Sequence, residues 1–327
     1  MRRVCITGGA GFIGSTLADR LRDTGIEVVI VDDFRTGRRE FIADQLVADG
    51  AELIEGDVLD RDLLKRAFDG CDWVFHLQAN ADVRFGLEHP QLDLEQNTIA
   101  TAGVLEAMRA VGVKQIAFAS TGSIYGEPDV FPTPEHAPFP TQTSLYGASK
   151  LAGEGMIAAY CHGFDFTAVV LRFVSILGER YTHGHVFDFY RALKTDPDRL
   201  FVLGDGHQEK SYLHVHDCVD AMLLTAREHE GSGDFCVYNL GTDETILLNS
   251  SIAEITQHMG VDPAIDYAGG VRGWPGDSPL IHLDCTKIRQ LGWTPTLDVR
   301  ESIARTLAWL DANTYVWKDA ASGGPRK

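Results

Sequence analysis

Thr7-Gly8-Gly9-Ala10-Gly11-Phe12-Ile13-Gly14 follows a short apolar run, Val4-Cys5-Ile6. It opens a helical pattern in which Phe12, Ile13, Leu17 and Leu21 recur near helical spacing. Gly8, Gly11 and Gly14 lack a Cβ, so the backbone can turn tightly, approach a pyrophosphate and pack the helix close to the strand. The free N–H groups and positive dipole end of that helix then face the phosphates. A glycine triplet alone is a weak sign, and its setting strengthens it. A second apolar run, Val28-Val29-Ile30-Val31, ends in Asp32-Asp33. That is close to the spacing at which a dinucleotide-binding unit sets an acid on the adenosine ribose. The competing reading is a glycine-rich turn in another kind of α/β protein.

Working outward, strands are predicted at Val4–Thr7, Glu27–Asp32, Glu52–Glu55, Trp73–Leu77, Gln115–Ser120 and Phe166–Phe173. Helices are predicted between them, at Phe12–Thr24, Asp60–Phe68, Leu92–Val111 and Leu145–Tyr160. The alternation implies an α/β, doubly wound parallel sheet of the Rossmann kind, with right-handed crossovers and ligand at the carboxyl ends of the strands. After about residue 174 glycines and prolines break the chain into shorter pieces. Helices are predicted there at Val186–Lys194, His216–Glu228, Leu248–Met259 and Val299–Leu310. Residues 1–174 are therefore read as the dinucleotide-binding domain. Residues 175–319 are read mainly as a smaller C-terminal substrate domain with segments returning to the sheet, and 320–327 as a disordered tail.

The chain has 327 residues, 44% of them hydrophobic, which suits a globular enzyme. Its 47 acidic against 29 basic residues give a net charge of −18. That field disfavours nucleic acid and anionic membrane as partners. No apolar stretch is long enough to span a bilayer. Met1-Arg2-Arg3 leads straight into strand and glycine loop, so no signal peptide is expected and a cytoplasmic location is. Six scattered cysteines suggest neither a disulfide framework nor a zinc site, and no metal is expected.

Tyr146 and Lys150, in Tyr146-Gly147-Ala148-Ser149-Lys150, share one face of the Leu145–Tyr160 helix pattern. An ammonium near a phenol favours the phenolate, as does an oxidised nicotinamide, and together they can make Tyr146 a general base. Thr121 and Ser123 stand where the Gln115–Ser120 strand ends. A hydroxyl there can hold the substrate oxygen that Tyr146 deprotonates; taken alone, both residues read as strand terminators.

With these residues in place, the chain resembles the extended short-chain dehydrogenase/reductase family, in its nucleotide-sugar epimerase/dehydratase branch. The likeness runs from about residue 3 to 311. It rests on the glycine loop, Gly56-Asp57-Val58, His76-Leu77-Gln78-Ala79, Asn97, the Thr121 segment, Tyr146/Lys150, Gly204-Asp205-Gly206, Trp274-Pro275-Gly276-Asp277 and Leu291-Gly292-Trp293-Thr294-Pro295. The resemblance implies backbone N–H contacts from Phe12 and Ile13 to the pyrophosphate. It implies Asp32, beside Asp33, on the adenosine ribose, Asp57 and Val58 at the adenine, and Leu77, Gln78 and Ala79 along the cofactor channel. Lys150 falls on the nicotinamide ribose and Phe173 near the nicotinamide, with Asn97 and Ser120 completing the set. NAD is the implied cofactor. Arg35, Arg38 and Arg39 complicate this, since an arginine there can receive the extra phosphate of NADP, although the two acids oppose that phosphate.

The reaction class turns on the loop after Ser120. Dehydratases of this branch resemble one another in carrying Asp-Glu after the threonine, and decarboxylases tend to carry Glu in that loop. Here Gly122 and Ser123 stand there. The resemblance therefore implies a nucleotide-sugar 4-epimerase for a UDP-hexose or UDP-hexuronate. The alternatives are a UDP-glucuronate decarboxylase, another dehydratase or reductase, or an NAD-binding protein without chemistry. Lys210 and Arg272 are the expected diphosphate cations, with Lys210 and Ser175 in place of the usual arginine and asparagine and Trp274 in place of another arginine. His185 and Val186 lie in the substrate loop, Phe201 and Leu203 at the base, and Arg84 near the sugar unless it pairs with Asp82 or Glu88. His183 and His185 make a poor metal pair, and His214 and His216 read as structural residues at a helix start. A homodimer is expected through the Leu92–Val111 and Leu145–Tyr160 helices, with Ala100, Val104, Met108, Met156 and Tyr160 as its surface unless they face their own core.

Overall fold

Seven strands form one parallel sheet: β1 (Arg3–Thr7), β2 (Glu27–Asp32), β3 (Ala51–Glu55), β4 (Trp73–His76), β5 (Gln115–Thr121), β6 (Thr167–Phe173) and β7 (Phe235–Leu240). The computed structural model describes residues 1–47, 51–80, 83–139 and 141–318; Asp82 and the expected tail at 320–327 lie outside them. The strand order is β7-β6-β5-β4-β1-β2-β3. The order reverses between β1 and β4, and a doubly wound sheet binds its ligand at that crevice.

The inner strands are largely apolar because both faces are covered, whereas the edge strand β3 carries exposed Glu52 and Glu55. Val4, Ile6, Val28, Ile30, Trp73, Phe75, Ala117, Val169 and Leu171 join one buried core with Leu17 and Leu21 of the Phe12–Arg22 helix and Val219 and Met222 of the Val215–Glu228 helix. Their neighbours Cys5, Val29, Val31, Val74, Ile116, Phe118 and Val170 join the other. There they meet Leu64 and Phe68 (Arg61–Phe68), Val104 and Met108 (Ala100–Val111) and Ile157 (Leu145–Phe164). Alternate side chains of each strand thus feed two opposite layers.

Two expectations need correction. The helix read as Leu92–Val111 is three pieces: Pro90–Asp93, a π-helical turn at Leu94–Ile99, and Ala100–Val111. The wide turn keeps Asn97 facing inward, where it bonds Asp93, Ser149 and Asn80. Such turns concentrate at functional sites. Ala100, Val104 and Met108 are fully buried in the chain's own core, so they offer no surface to a second copy. Met156 and Tyr160 are half-buried against the same core, and the Tyr160 ring packs on Phe164 and Phe166.

Three small sheets accompany the main one, in sequence after β6: Ser175–Leu177 beside Tyr212–His214, Arg199–Val202 beside Ala264–Tyr267, and Glu209–Lys210 between Ile246–Leu247 and Leu280–Ile281. Among the described residues no helix is long and apolar enough to cross a membrane.

His76, at the end of β4, is fully buried between the hydroxyls of Thr7 (2.7 Å) and Thr101 (3.1 Å). Burial, helped by the Lys150 ammonium, pulls its pKa down to about 3. The unfolded chain takes up that proton near the ordinary 6.5. Stability from His76 is therefore whole above pH 6.5 and is lost as the pH falls towards about 3, by up to about 1.4 kcal/mol per pH unit. Urea midpoints measured between pH 7 and 4 are expected to fall, and to fall less steeply in His76→Asn.

Candidate active site

Gly8 leaves β1 with a φ of +71°, a left-handed conformation, and its N–H bonds the Val31 carbonyl oxygen at 2.8 Å. A Cβ there would lie 2.9 Å from the backbone of Gln78, at the carboxyl end of β4. A Cβ on Gly14 would lie 2.2 Å from the Gly8 carbonyl oxygen. The turn therefore closes only with glycine at these positions. The helix Phe12–Arg22 starts at Gly11 with no side chain capping it. Its first N–H groups are left for a ligand, as a pyrophosphate cradle requires.

Asp32, buried at the end of β2, accepts from the backbone N–H of Ala10 (2.9 Å) and of Phe34 (2.8 Å). Burial raises its pKa against those two bonds, with Asp33 adding to the rise. The acid is thus fixed beside the glycine loop, where a ribose hydroxyl can donate to it. None of the three nearby arginines points at that spot unoccupied. Arg35 pairs with Asp33 (2.6 Å) and with Asp57. Arg39 pairs with Glu55 and stacks over Phe34, and Arg38 donates to the Val316 carbonyl oxygen. Val58 is buried in the core, while Leu77 and Ala79 are half-exposed.

Thr121 ends β5, and its Oγ1 accepts from the Ser123 N–H at 3.1 Å while donating to the Ser123 Oγ at 3.2 Å. Ser144 caps the Leu145–Phe164 helix, which presents Tyr146 and Lys150 one turn apart. The priming of Tyr146 by Lys150 differs from expectation. Burial and the Asp93 carboxylate push the phenol up to about 12, opposed by a hydrogen bond with Thr121. Lys150 is itself pulled down to about 7 by burial, against the favourable Glu154 and Asp93 charges. Its ammonium donates to the Ala119 carbonyl oxygen at 2.9 Å and sits 4.8 Å over the Phe118 ring. Lys150 has left water and Tyr146 is half-buried, so the protein alone holds the proton on the phenol.

Two residues that sequence reasoning missed shape this site. Asp93, buried, accepts from Asn80 (2.9 Å) and Asn97 (3.2 Å), and its charge reaches both Tyr146 and Lys150. Glu154, one turn beyond Lys150, pairs with Arg172 of β6 at 2.7 Å, both side chains being 4% exposed. The Ser120 hydroxyl donates to Glu154, so that side chain is engaged within the protein. Phe173 is buried at the end of β6, facing Thr121 in register.

Of the residues expected to meet the substrate, Lys210, Arg272 and Arg84 gather around Asp277 and Trp274. Lys210 pairs with Asp277 at 2.6 Å and lies 5.1 Å over the Trp274 ring. Arg272 donates to the Asp277 carbonyl oxygen at 2.8 Å and pairs with Glu127. Arg84 pairs with Asp188 (3.2 Å) and reaches the same Trp274 ring. His185 bonds Tyr212 (3.2 Å) and Ser251 (2.7 Å), and burial beside Lys210 pulls its pKa down to about 3, so it is neutral. Val186 is fully buried, whereas Phe201 is 63% and Leu203 38% exposed and Ser175 is exposed.

Fold and site together define an α/β protein with a glycine-loop dinucleotide cradle after β1 and a tyrosine–lysine pair on the helix after β5. The chain belongs to the NAD dependent epimerase/dehydratase family, whose model matches residues 4–241, and NAD is its cofactor. The UDP-glucose 4-epimerase of Mycolicibacterium smegmatis is 33% identical, covering 93% of this chain and 97% of that one. A crystal structure of a UDP-galactose 4-epimerase is 36% identical, with a TM-score of 0.85 over 95% of this chain and 99% of the other. The Thermus thermophilus UDP-glucose 4-epimerase in complex with NAD is 32% identical, with a TM-score of 0.84 over 94% and 99%.

Proposed function

We propose that this chain is a nucleotide-sugar 4-epimerase acting on a UDP-hexose or UDP-hexuronate. The observation that carries the reading is Thr121, at the end of β5 and followed by Gly122 and Ser123 rather than by an acid. The named relatives support it.

Bound NAD accepts a hydride from the sugar C4 and later returns it. Tyr146 takes the proton of the C4 hydroxyl and gives it back, while Thr121 holds the same oxygen. Lys150 holds the nicotinamide ribose. Lys210 and Arg272 hold the diphosphate, both kept in place by Asp277. Lysine offers a point charge where arginine would offer a fork. The main chain around the exposed Phe201 and Leu203 meets the base. The sugar is held loosely, so that the 4-keto form turns about its link to the diphosphate and presents its other face. With no acid behind Thr121 to drive elimination, oxidation followed by reduction is the simplest cycle. A homodimer is part of the same proposal, tested by its mass in solution at micromolar concentration.

The test is a panel of UDP-, CDP-, GDP- and ADP-sugars, incubated without added cofactor and followed by NMR. A UDP-sugar inverted at C4, with deuterium placed on C4 kept in the product, is the expected result. Release of carbon dioxide or water would move the chain to a decarboxylase or dehydratase, and washout of the deuterium would end the hydride cycle.

A further inference from the structure

Glu179, His214 and His216 meet at the carboxyl ends of the Ser175–Leu177 and Tyr212–His214 strands and take no part in the reaction above. His214 is fully buried. Its Nε2 lies 3.3 Å from Glu179 Oε2, and that oxygen lies 3.4 Å from His216 Nε2. Neither His214 Nε2 nor Glu179 Oε2 makes a hydrogen bond among the described residues. Two imidazoles and a carboxylate held this closely in ion pairs are also spaced as the ligands of one cation are. Ligands held tetrahedrally at zinc distances stand about 3.3–3.4 Å apart, whereas an octahedral ion with the same bonds would bring them to about 2.9 Å. The side chains of His216 (45% exposed) and Glu179 (32% exposed) leave an open approach and room for water as a fourth ligand.

We propose that Glu179, His214 and His216 bind one zinc-type divalent ion, a structural site separate from the NAD chemistry. The ion would fasten a strap. Gly178 donates to the Thr306 hydroxyl at 2.8 Å, Arg180 pairs with Asp19 at 2.7 Å, and the Tyr181 ring stands 5.7 Å from that of Phe12 at the start of the phosphate-loop helix. Metal on His214 Nε2 puts the ring proton on Nδ1, so the 3.3 Å bond from the His216 N–H is given up. A second group, His229, Asp234 and Cys236, is a weaker candidate. Its histidine already bonds the Tyr238 hydroxyl at 2.7 Å and the Cys236 sulfur at 3.5 Å.

The test uses the full chain without a histidine tag, stripped with chelator and titrated with Zn2+ by calorimetry. Thermal melts with and without the ion are run beside it. One ion per chain and a raised Tm are expected in the wild type. Glu179→Gln and His216→Ala should each weaken binding by more than the roughly 10–100-fold that loss of an outer-shell partner costs, and abolish the Tm shift. Cys236→Ser should change neither. Absence of stoichiometric binding, unaltered binding in both ligand variants, or loss of the ion only in Cys236→Ser would each overturn the proposal. Because no substrate is present, the result stands apart from the epimerase reading.

Discussion

Tyr146→Phe is expected to lower kcat by about 10²–10⁴-fold, the share a positioned acid–base group contributes, while NAD stays bound. The substitution removes one oxygen from a half-buried ring and leaves the glycine cradle and Lys150 untouched. Unfolding midpoints should therefore barely move, and cofactor released on denaturation should match the wild type. The field around the phenol sharpens the test. Burial and Asp93 hold its pKa up at about 12. Reaching the phenolate at neutral pH in that field alone would cost several kcal/mol, at about 1.4 kcal/mol per unit. The nicotinamide charge and any shift in Lys150 must supply the difference. The pH profile of wild-type kcat should accordingly show its basic limb well below 12. The limb should move further down in Asp93→Asn, which removes a charge opposing the phenolate. A Tyr146→Phe variant with substantial turnover, or an unmoved limb in Asp93→Asn, would assign the proton to another group.

The sheet was legible because its inner strands are largely apolar on both faces and its strands are separated by helices, so run length and spacing alone located six of the seven. The loop was legible because glycine at positions 8 and 14 is demanded by backbone approaches under 3 Å. Asp93 was not. An acid three residues after Pro90 reads as a solvated charge in a first helical turn. Its burial depends on Asn80, far along the chain, and on Gly86, where a Cβ would meet the carboxylate at 2.1 Å. The π-helical turn at Leu94–Ile99 was equally hidden, because periodicity over so few residues does not separate 3.6 from a wider repeat. Three residues of the expected dimer surface were misplaced for a related reason. An apolar helix stripe says that something covers it, and Ala100, Val104 and Met108 are covered by β4, β5 and the Arg61–Phe68 helix of their own chain. One signal was available and passed over. Arg172 interrupts an otherwise apolar strand, Val169-Val170-Leu171-Arg172-Phe173, and such a charge must have a partner inside.

That partner makes Arg172→Met the most destabilising substitution expected here, at about 3–5 kcal/mol. The guanidinium donates to both oxygens of Glu154 (3.1 and 2.7 Å), to the Tyr125 hydroxyl (2.7 Å) and to the Glu135 carbonyl oxygen (2.9 Å). Truncating it leaves a buried carboxylate whose remaining donor is the Ser120 hydroxyl. The loss should therefore exceed that of an exposed pair, which is worth about 0–1 kcal/mol. Chemical denaturation of Arg172→Met, Glu154→Leu and the double variant gives the decisive comparison. The double variant should be more stable than Arg172→Met, because it removes the stranded charge along with its partner. If the two losses simply add, Glu154 is not stranded by removal of Arg172, and the pair is not what seats the helix. The seat also matters for turnover. Glu154 lies one turn beyond Lys150 on the same helix, so Arg172→Met should lower kcat even where the folded fraction is complete. The double variant, its helix held by packing alone, separates a loss of position from a loss of fold.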